Sequence, residues 1–170
     1  MAADLSRRQL FRRASTMADP SIMRPPGEVA GRFEQLCGNC DLCVKACPEA
    51  ILELDDAGLA QVNFTKGACT FCGVCSEICP TGALIPERAE HWPWRAAIAS
   101  SCLSLNGVTC RLCEDACDPR AIRFRLKARG QAEPRVDWQR CTGCGACASV
   151  CPVGAVSLDR DQGQASVAVA

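Results

Sequence analysis

The hydrophobic and polar positions of the chain form two pairs of short runs. Residues 51–54 are apolar except for Glu53, a turn that contains Gly58 follows, and the apolar run 59–64 comes after it. Residues 121–126 alternate between hydrophobic and polar positions, and residues 134–137 form the return run. Short apolar runs on either side of a turn indicate a β-hairpin. The pattern therefore predicts two hairpins, one in each half of the chain.

A cysteine motif occurs four times in the same chain. Three copies have the spacing Cys-x2-Cys-x2-Cys-x3-Cys followed by proline: Cys37, Cys40, Cys43 and Cys47, then Cys69, Cys72, Cys75 and Cys79, and finally Cys141, Cys144, Cys147 and Cys151. The third copy in chain order is irregular, with seven residues in its first gap: Cys102, Cys110, Cys113 and Cys117. One hairpin separates the first two motifs and the other separates the last two, so the chain is a tandem duplication of a two-motif unit.

The segments outside the motifs complete this organisation. Brief apolar runs at 82–85 and 154–158 predict edge strands. Short helical turns are expected to begin near the last cysteine of each motif and to run towards the next element. The predicted parts of the chain are a basic, poorly ordered arm at 1–30, a first unit at 31–90, a linker at 91–101, a second unit at 102–160 and a flexible tail at 161–170.

A disulfide scaffold or zinc sites could also account for the high cysteine content of the chain. Cysteine makes up 16 of the 170 residues, which in a short secreted chain would suggest a disulfide scaffold. The gaps of two and three recur too regularly for such a scaffold, and the N-terminus lacks the apolar core of a secretory signal. Structural zinc sites use two Cys-x2-4-Cys pairs, often with histidine, whereas this chain has one histidine and no isolated pair.

The motif spacing predicts [4Fe–4S] clusters. Three cysteines at gaps of two lie on one tight loop that can wrap a cluster, and the fourth cysteine points away from that loop. In two-cluster ferredoxins the fourth cysteine ligates the other cluster. The fold class that follows is α+β: a tandem pair of bacterial two-cluster ferredoxin-like units with short β-hairpins, short helices and little regular secondary structure.

This crossed pattern gives four ligand sets and four clusters per chain. The sets are Cys37, Cys40, Cys43 and Cys79; Cys69, Cys72, Cys75 and Cys47; Cys141, Cys144, Cys147 and Cys117; and Cys102, Cys110, Cys113 and Cys151. The last set depends on a looped-out insertion at 103–109, and the alternative is that Cys102 is a free thiol beside an incomplete site. Asp118 interrupts the Cys-Pro pattern of the third motif, where it either lowers a cluster potential or is a turn residue that faces solvent.

Few other side chains suggest chemistry. His91, Trp92 and Trp94 form either a docking patch or the packing between the two units. Four other aromatic side chains are expected to shield clusters or to fill a small core: Phe33, Phe64, Phe124 and Trp138. No catalytic dyad, phosphate loop or flavin site is recognisable, so we do not expect an enzyme.

Charge and hydropathy narrow the possible partners and location. The chain has 19 basic and 19 acidic residues, so the bare polypeptide has no electrostatic attraction to nucleic acid or membrane, and four clusters would add a charge of about −8. No apolar run reaches the length of a transmembrane helix. Residues 6–11 resemble a twin-arginine export signal, but no apolar region follows them. We therefore expect a soluble, cytoplasmic, monomeric protein.

The whole chain resembles the NapF family of ferredoxin-type proteins. The resemblance depends on the arm with Arg7, Arg8 and Arg24, the four motifs, the segment 91–94 and the long gap after Cys102. It implies a cytoplasmic protein that binds the catalytic subunit of periplasmic nitrate reductase before export and assists its maturation. The alternative is an electron carrier that relays single electrons to a redox enzyme.

Overall fold

The protein folds into short helices and two-stranded sheets. The structure is a computed structural model, and it describes residue 19, residues 21–127 and residues 131–160. The helices are α1 (Phe33–Leu36), α2 (Leu42–Ala46), α3 (Val74–Glu77), α4 (Leu112–Asp115) and α5 (Ala146–Ser149), with a 3-10 turn at Pro86–His91. The strands are β1 (Leu52–Leu54), β2 (Ala60–Val62), β3 (Trp94–Ile98), β4 (Ile122–Leu126), β5 (Ala132–Val136) and β6 (Val156–Arg160). None of the helices within the described ranges could cross a bilayer.

Both predicted hairpins are present. β1 pairs antiparallel with β2, with Leu52 opposite Val62. β4 pairs antiparallel with β5, with Ile122 opposite Val136. Strand β1 follows the first motif and β4 follows the third, so the tandem ferredoxin-like arrangement is confirmed at the level of element order.

The helical turns lie before the fourth cysteine of each motif, earlier in the chain than predicted. Each of α2, α3, α4 and α5 contains the third cysteine of its motif and ends before the fourth. The prediction that they start near the fourth cysteine and run towards the next element is wrong. In three motifs a proline follows that cysteine, and the residue before a proline avoids helical backbone. Cys47, for example, is extended with φ −70° and ψ 113°.

The segment assigned to the linker is a strand of the second unit. β3 pairs antiparallel with β6 over five residues, from Trp94 opposite Arg160 to Ile98 opposite Val156. Alternation explains this pairing, because Trp94 and Ala96 are buried on one face of the strand. The predicted edge strand after the fourth motif is therefore paired, whereas the one after the second motif is a single bridge between Leu84 and Glu28.

Residues 21–30 belong to the arm by sequence pattern, but they pack on the first unit. Arg24 is 4% exposed and its guanidinium Nη1 lies 2.7 Å from the Asp55 carboxylate. Nη1 also donates a hydrogen bond to the Ala60 carbonyl at 3.1 Å. The guanidinium stacks over the Phe33 ring, 5.2 Å from its centroid. Residues 1–18, including the twin arginines, and the tail at 161–170 lie outside the described residues.

Each unit has its own small core. The first is built from Phe33, Leu59, Ala60, Ala83 and Leu84. The second is built from Ala96, Ile122 and two buried cysteines, Cys113 and Cys147. Motif cysteines pack against both cores, so the candidate ligands also help to hold the fold together.

The two units meet through the second and fourth motifs. The Cys69 N–H donates to the Cys144 carbonyl across 2.7 Å. Trp92 packs edge-on against Phe64 and Phe71, with ring centroids 6.2 and 5.6 Å away. A Cβ at Gly145 would lie 2.3 Å from the Phe64 ring. The interface between units is therefore close-packed and requires glycine at that position.

Substituting Gly145 with alanine is expected to destabilise this junction. Gly73 is the matched control, because it precedes α3 as Gly145 precedes α5, with φ +80° against +81°, and its Cβ would meet only a glutamate oxygen at 3.7 Å. Both substitutions strain the backbone, but Gly145→Ala also overpacks, at an additional cost of about 1–3 kcal/mol. Thermal midpoints of the loaded proteins measure the difference. Equal midpoints would contradict the close approach of Gly145 to the Phe64 ring. Adding Phe64→Ala should reduce the difference between the two midpoints.

Candidate metal-cluster sites

Sixteen cysteines line four cavities, four in each. The four sets are Cys37, Cys40, Cys43 and Cys79; Cys47, Cys69, Cys72 and Cys75; Cys117, Cys141, Cys144 and Cys147; and Cys102, Cys110, Cys113 and Cys151. In every cavity three cysteines come from one motif and the fourth from the other motif of the same unit.

The spacing of the thiols suits a cluster better than a single ion. Among the described residues, no three cysteine, histidine, aspartate or glutamate side chains converge closely enough to share one metal ion. A tetrahedral zinc site needs four donors about 2.0–2.3 Å from one point. The cysteines instead surround a volume, and four thiols around a volume are the donor set of a [4Fe–4S] cluster.

Left-handed backbone at fixed positions of the motif shapes these loops. It occurs two residues after the first cysteine, one residue after the second and three residues after the fourth. The residues with positive φ at these positions are Asn39, Phe71 and Gly143; Asp41, Gly73 and Gly145; and Ala50, Gly82, Arg120 and Gly154. A left-handed residue reverses the curvature of the chain, so the loop can close around its cavity. Glycine adopts this backbone without strain and asparagine or aspartate tolerates it, whereas a bulky residue such as Phe71 does so at a cost of about 1–3 kcal/mol.

Backbone N–H groups point at several of the cysteine sulfurs. The N–H groups of Ala121 and Ala155 lie 3.2 Å from Sγ of Cys117 and Cys151, four residues earlier in the chain. The Phe71 N–H lies 3.4 Å from Cys69 Sγ. Such donors stabilise a thiolate, because a hydrogen bond to the charged form favours that form.

Strand β3 contributes another of these donors. The Ala96 N–H lies 3.4 Å from Cys141 Sγ. Sequence reasoning missed this group and the N–H groups after the fourth cysteines, because a backbone donor leaves no mark on residue type. The N–H groups of Ala121 and Ala155 each lie four residues after a fourth cysteine, and this constant distance is a signal that could have revealed them.

The irregular third motif is closed by an ordered loop at 103–109. The Asn106 amide donates to the carbonyls of Ser100 and Cys102, both at 2.8 Å. The Ser104 hydroxyl is buried and donates to the Ala132 carbonyl of β5. These bonds fold the insertion back on the second unit and place Cys102 beside the other three cysteines of its cavity.

Comparison with known proteins is consistent with this geometry. Residues 36–83 and 108–155 each match the 4Fe-4S dicluster domain family. The ferredoxin-type protein NapF of Escherichia coli K12 is 36% identical over 159 residues, covering 94% of this chain and 97% of that protein. NapF of Haemophilus influenzae is 40% identical over 138 residues, covering 81% of this chain and 78% of that protein. The chain belongs to the NapF family of ferredoxin-type proteins.

A second group of relatives is also ferredoxin-type. The methylamine utilization protein MauM of Methylorubrum extorquens is 33% identical over 164 residues, covering 85% of this chain and 74% of that protein.

Cys102 lies outside the matched domain, because the second match to the dicluster domain in this NapF-family chain begins at residue 108. The structure brings Cys102 to a cavity that the domain pattern leaves with three cysteines.

Burial makes several thiols of this NapF-family protein weaker acids than an ordinary cysteine. It raises the pKa of Cys147 to about 12 and those of Cys43, Cys69 and Cys113 to about 11. Cys79 is the exception. Burial alone would raise its pKa, but backbone N–H donors, first that of Leu84, outweigh this effect, so the pKa is lowered. A cluster binds thiolates, so loading releases protons from most of these positions.

The aromatic residues singled out from sequence have different surroundings. Phe33 is buried in the first core and Phe64 lies at the junction between units. Phe124 lines the cavity that contains Cys102. Trp138 is half-buried, and its carbonyl accepts a hydrogen bond from Arg95 at 3.1 Å.

The linker aromatics pack inside the protein. Trp92 and Trp94 are each 3% exposed, and Trp92 Nε1 donates to the Arg24 carbonyl at 3.1 Å. Packing accounts for both residues, and neither offers an exposed docking patch. The side chain of His91 lies outside the described part of the chain. Asp118 is exposed in the turn after Cys117, where it faces solvent as a turn residue would.

Proposed function

We propose that this protein holds four [4Fe–4S] clusters and assists the maturation of a periplasmic nitrate reductase. Each cluster would be held by one of the crossed cysteine sets, and the fold would be of the α+β class. The observation that carries the cluster assignment is the composition of the cavities, since each is lined by the four cysteines of one crossed set. When bound, such clusters accept and release single electrons.

The chain supplies the environment that these groups need. Thiols on two motifs of one unit converge on each cavity, so neither motif of a unit completes a site without the other. Backbone N–H groups donate to the sulfurs of Cys69, Cys117, Cys141 and Cys151 and would disperse the negative charge of cluster-bound thiolates. The NapF resemblance adds the setting: a cytoplasmic monomer that binds the catalytic subunit of the reductase before its export, with no nucleic-acid partner.

The second candidate is a simple electron carrier. The observation that favours it is the hydrogen bond from the Cys69 N–H to the Cys144 carbonyl, which brings a cavity of the first unit next to one of the second. In that case the protein would exchange electrons rapidly with a reductant and an acceptor, and would need no lasting complex with the reductase.

A pull-down from cytoplasm separates the two candidates. The baits are the full chain and a variant that lacks residues 1–18, which retains the packed segment with Arg24. The maturation role predicts that the full chain retains the precursor of the reductase catalytic subunit and that the truncated bait retains less. Absence of the reductase from both baits, together with fast electron exchange by both proteins, would instead support the carrier.

Cys102 has a test of its own. Cys102→Ala is expected to lower the iron content from about sixteen to about twelve atoms per chain, because one of four four-iron clusters loses a ligand. Ser104→Ala is the control, since it loosens the same loop without removing a thiol and should leave the iron content unchanged. A Cys102→Ala protein that retains all of the iron would remove Cys102 from the ligand set.

A further inference from the structure

Without their clusters, the two units of the chain carry opposite charge. Residues 31–90 include nine acidic and four basic side chains, whereas residues 102–160 include six acidic and nine basic ones. Much of the basic excess lies on the hairpin β4–β5, on the face turned away from the core. The exposed cationic side chains there are Arg123, Arg125, Lys127 and Arg135. We call this surface the basic face.

One cross-strand pair of the basic face works against the stability of the hairpin. Arg123 lies directly opposite Arg135 in the register of the two strands. Like charges directly opposite on neighbouring strands repel each other and destabilise the pair. Glu133 lies near Lys127 and Arg135, at 2.9 and 3.5 Å. Arg125 lies opposite Glu133 in the register, but no described carboxylate lies within ion-pair distance of the guanidinium of Arg123 or of Arg125.

The first hairpin shows that the fold does not require these cations. Glu53 follows Cys47 by six residues, as Arg123 follows Cys117. Glu53 lies opposite Gln61, and the Gln61 amide donates to its carboxylate at 3.1 Å. The same backbone position thus holds an attractive pair in one unit and a repulsive pair in the other. The repulsion in the second unit has no structural purpose within the chain, which points to a partner outside it.

The basic face lies directly over a cysteine cavity. Phe124 is on the inner face of β4 and lines the cavity that contains Cys102, Cys110, Cys113 and Cys151. The guanidinium of Arg111 lies 5.5 Å from the centroid of the Phe124 ring and adds a further half-exposed cation beside the hairpin. A partner held on the basic face would therefore be one strand away from this cavity.

We propose that the basic face is a docking surface for an acidic patch on a protein partner. Complementary charge steers association and fixes the orientation of partners. A local acidic patch suits a surface of four cations better than a nucleic acid does, because a long polyanion would also meet the acidic first unit. If the proposed function is correct, this partner is the reductase precursor, but the docking surface does not depend on that identity.

The variant that tests this proposal replaces the repulsive pair of the second hairpin with the pair found in the first. Arg123→Glu and Arg135→Gln make that exchange, and Arg125→Gln added to them brings the summed charge of the four positions from +4 to zero. The variant is expected to keep its iron content and to unfold at a temperature no lower than the wild type. The control makes the same change of charge on exposed residues of the first unit: Lys45→Gln, Lys66→Glu and Arg88→Gln.

Binding to the purified precursor of the reductase catalytic subunit is the first measurement. The wild type and the control should bind with affinities that fall as salt increases, and the hairpin variant should bind at least about tenfold more weakly. Equal binding by the hairpin variant would overturn the docking surface and leave the proposed function intact. If the wild type does not bind the precursor at all, the proposed function fails.

The second measurement tests whether the basic face binds acidic chains, and it does not depend on the reductase. A labelled oligoglutamate and a single-stranded DNA of the same charge are titrated against all three proteins. The proposal expects the oligoglutamate to bind the wild type and the control but not the hairpin variant. Binding of DNA in preference to oligoglutamate, binding that the hairpin variant retains, or no binding of oligoglutamate by the wild type would each overturn it.

Discussion

Replacing Cys79 with alanine is expected to open the site of the first motif and to leave the site of its own motif intact. Cys79 belongs to the second motif in sequence, but its thiol lines the cavity of Cys37, Cys40 and Cys43. The loss of one ligand should release about four of roughly sixteen iron atoms per chain. Because a structural metal centre contributes directly to folding, the first unit should also become much less stable.

Alkylation under anaerobic conditions identifies which site is lost. In the Cys79→Ala protein the thiols of Cys37, Cys40 and Cys43 should react, while Cys69, Cys72 and Cys75 stay protected. Cys47→Ala is the reciprocal control, because Cys47 lines the cavity of the second motif, and it should expose the opposite three. Reaction of the three cysteines that share a motif with the substituted residue would show that the sets are not crossed.

Replacing Arg24 with alanine is expected to destabilise the first unit by about 3–5 kcal/mol, because it leaves a largely buried carboxylate without its partner. The side chains of Arg24 and Asp55 are 5% and 10% exposed, with 2.7 Å between their charged groups. The thermal midpoint of the loaded protein should fall by roughly 10 °C, given that 1 kcal/mol corresponds to about 2–4 °C at this chain length.

Two further variants show that the pair is the cause. Lys45→Ala removes an exposed i,i+4 ion pair with Asp41 and should cost at most about 0.5 kcal/mol. Arg24→Met with Asp55→Asn removes both charges and should recover most of the lost stability. An Arg24→Ala protein as stable as Lys45→Ala would show that residues 21–30 do not hold the first unit.

The Arg24–Asp55 pair also has a pH dependence of known sign. Burial raises the pKa of Asp55, but the Leu59 N–H and the Arg24 guanidinium outweigh it, so the pKa is lowered overall. A carboxyl with a lowered pKa in the folded state stabilises the fold above its unfolded pKa of about 3.9. That contribution is lost as the pH falls through the lowered value.

Cysteine spacing and strand alternation are sufficient to predict much of the fold. The spacing predicts the duplicated unit, and alternation around Glu53 and Arg123 predicts both hairpins. The crossed cysteine sets also come from spacing, through the rule that the fourth cysteine leaves its own loop. Local signals of this kind are strong because each depends on residues that are close in sequence.

Most of the failures involve contacts between segments that are distant in sequence. Arg24 looks like part of a basic arm until Asp55, 31 residues later, is seen to neutralise it. The segment at 94–98 looks like a linker because its partner strand is the last one in the described chain. In the three motifs with a Cys-Pro step, the helical turns differ from the prediction for a local reason, because the proline keeps the fourth cysteine out of a helix.

Iron and sulfide content of anaerobically purified protein tests the central claim most directly. Four [4Fe–4S] clusters require about sixteen iron and sixteen sulfide per chain. A value of about twelve for each would mean that the cavity with Cys102 holds no complete cluster. Zinc in place of iron would contradict the account as a whole.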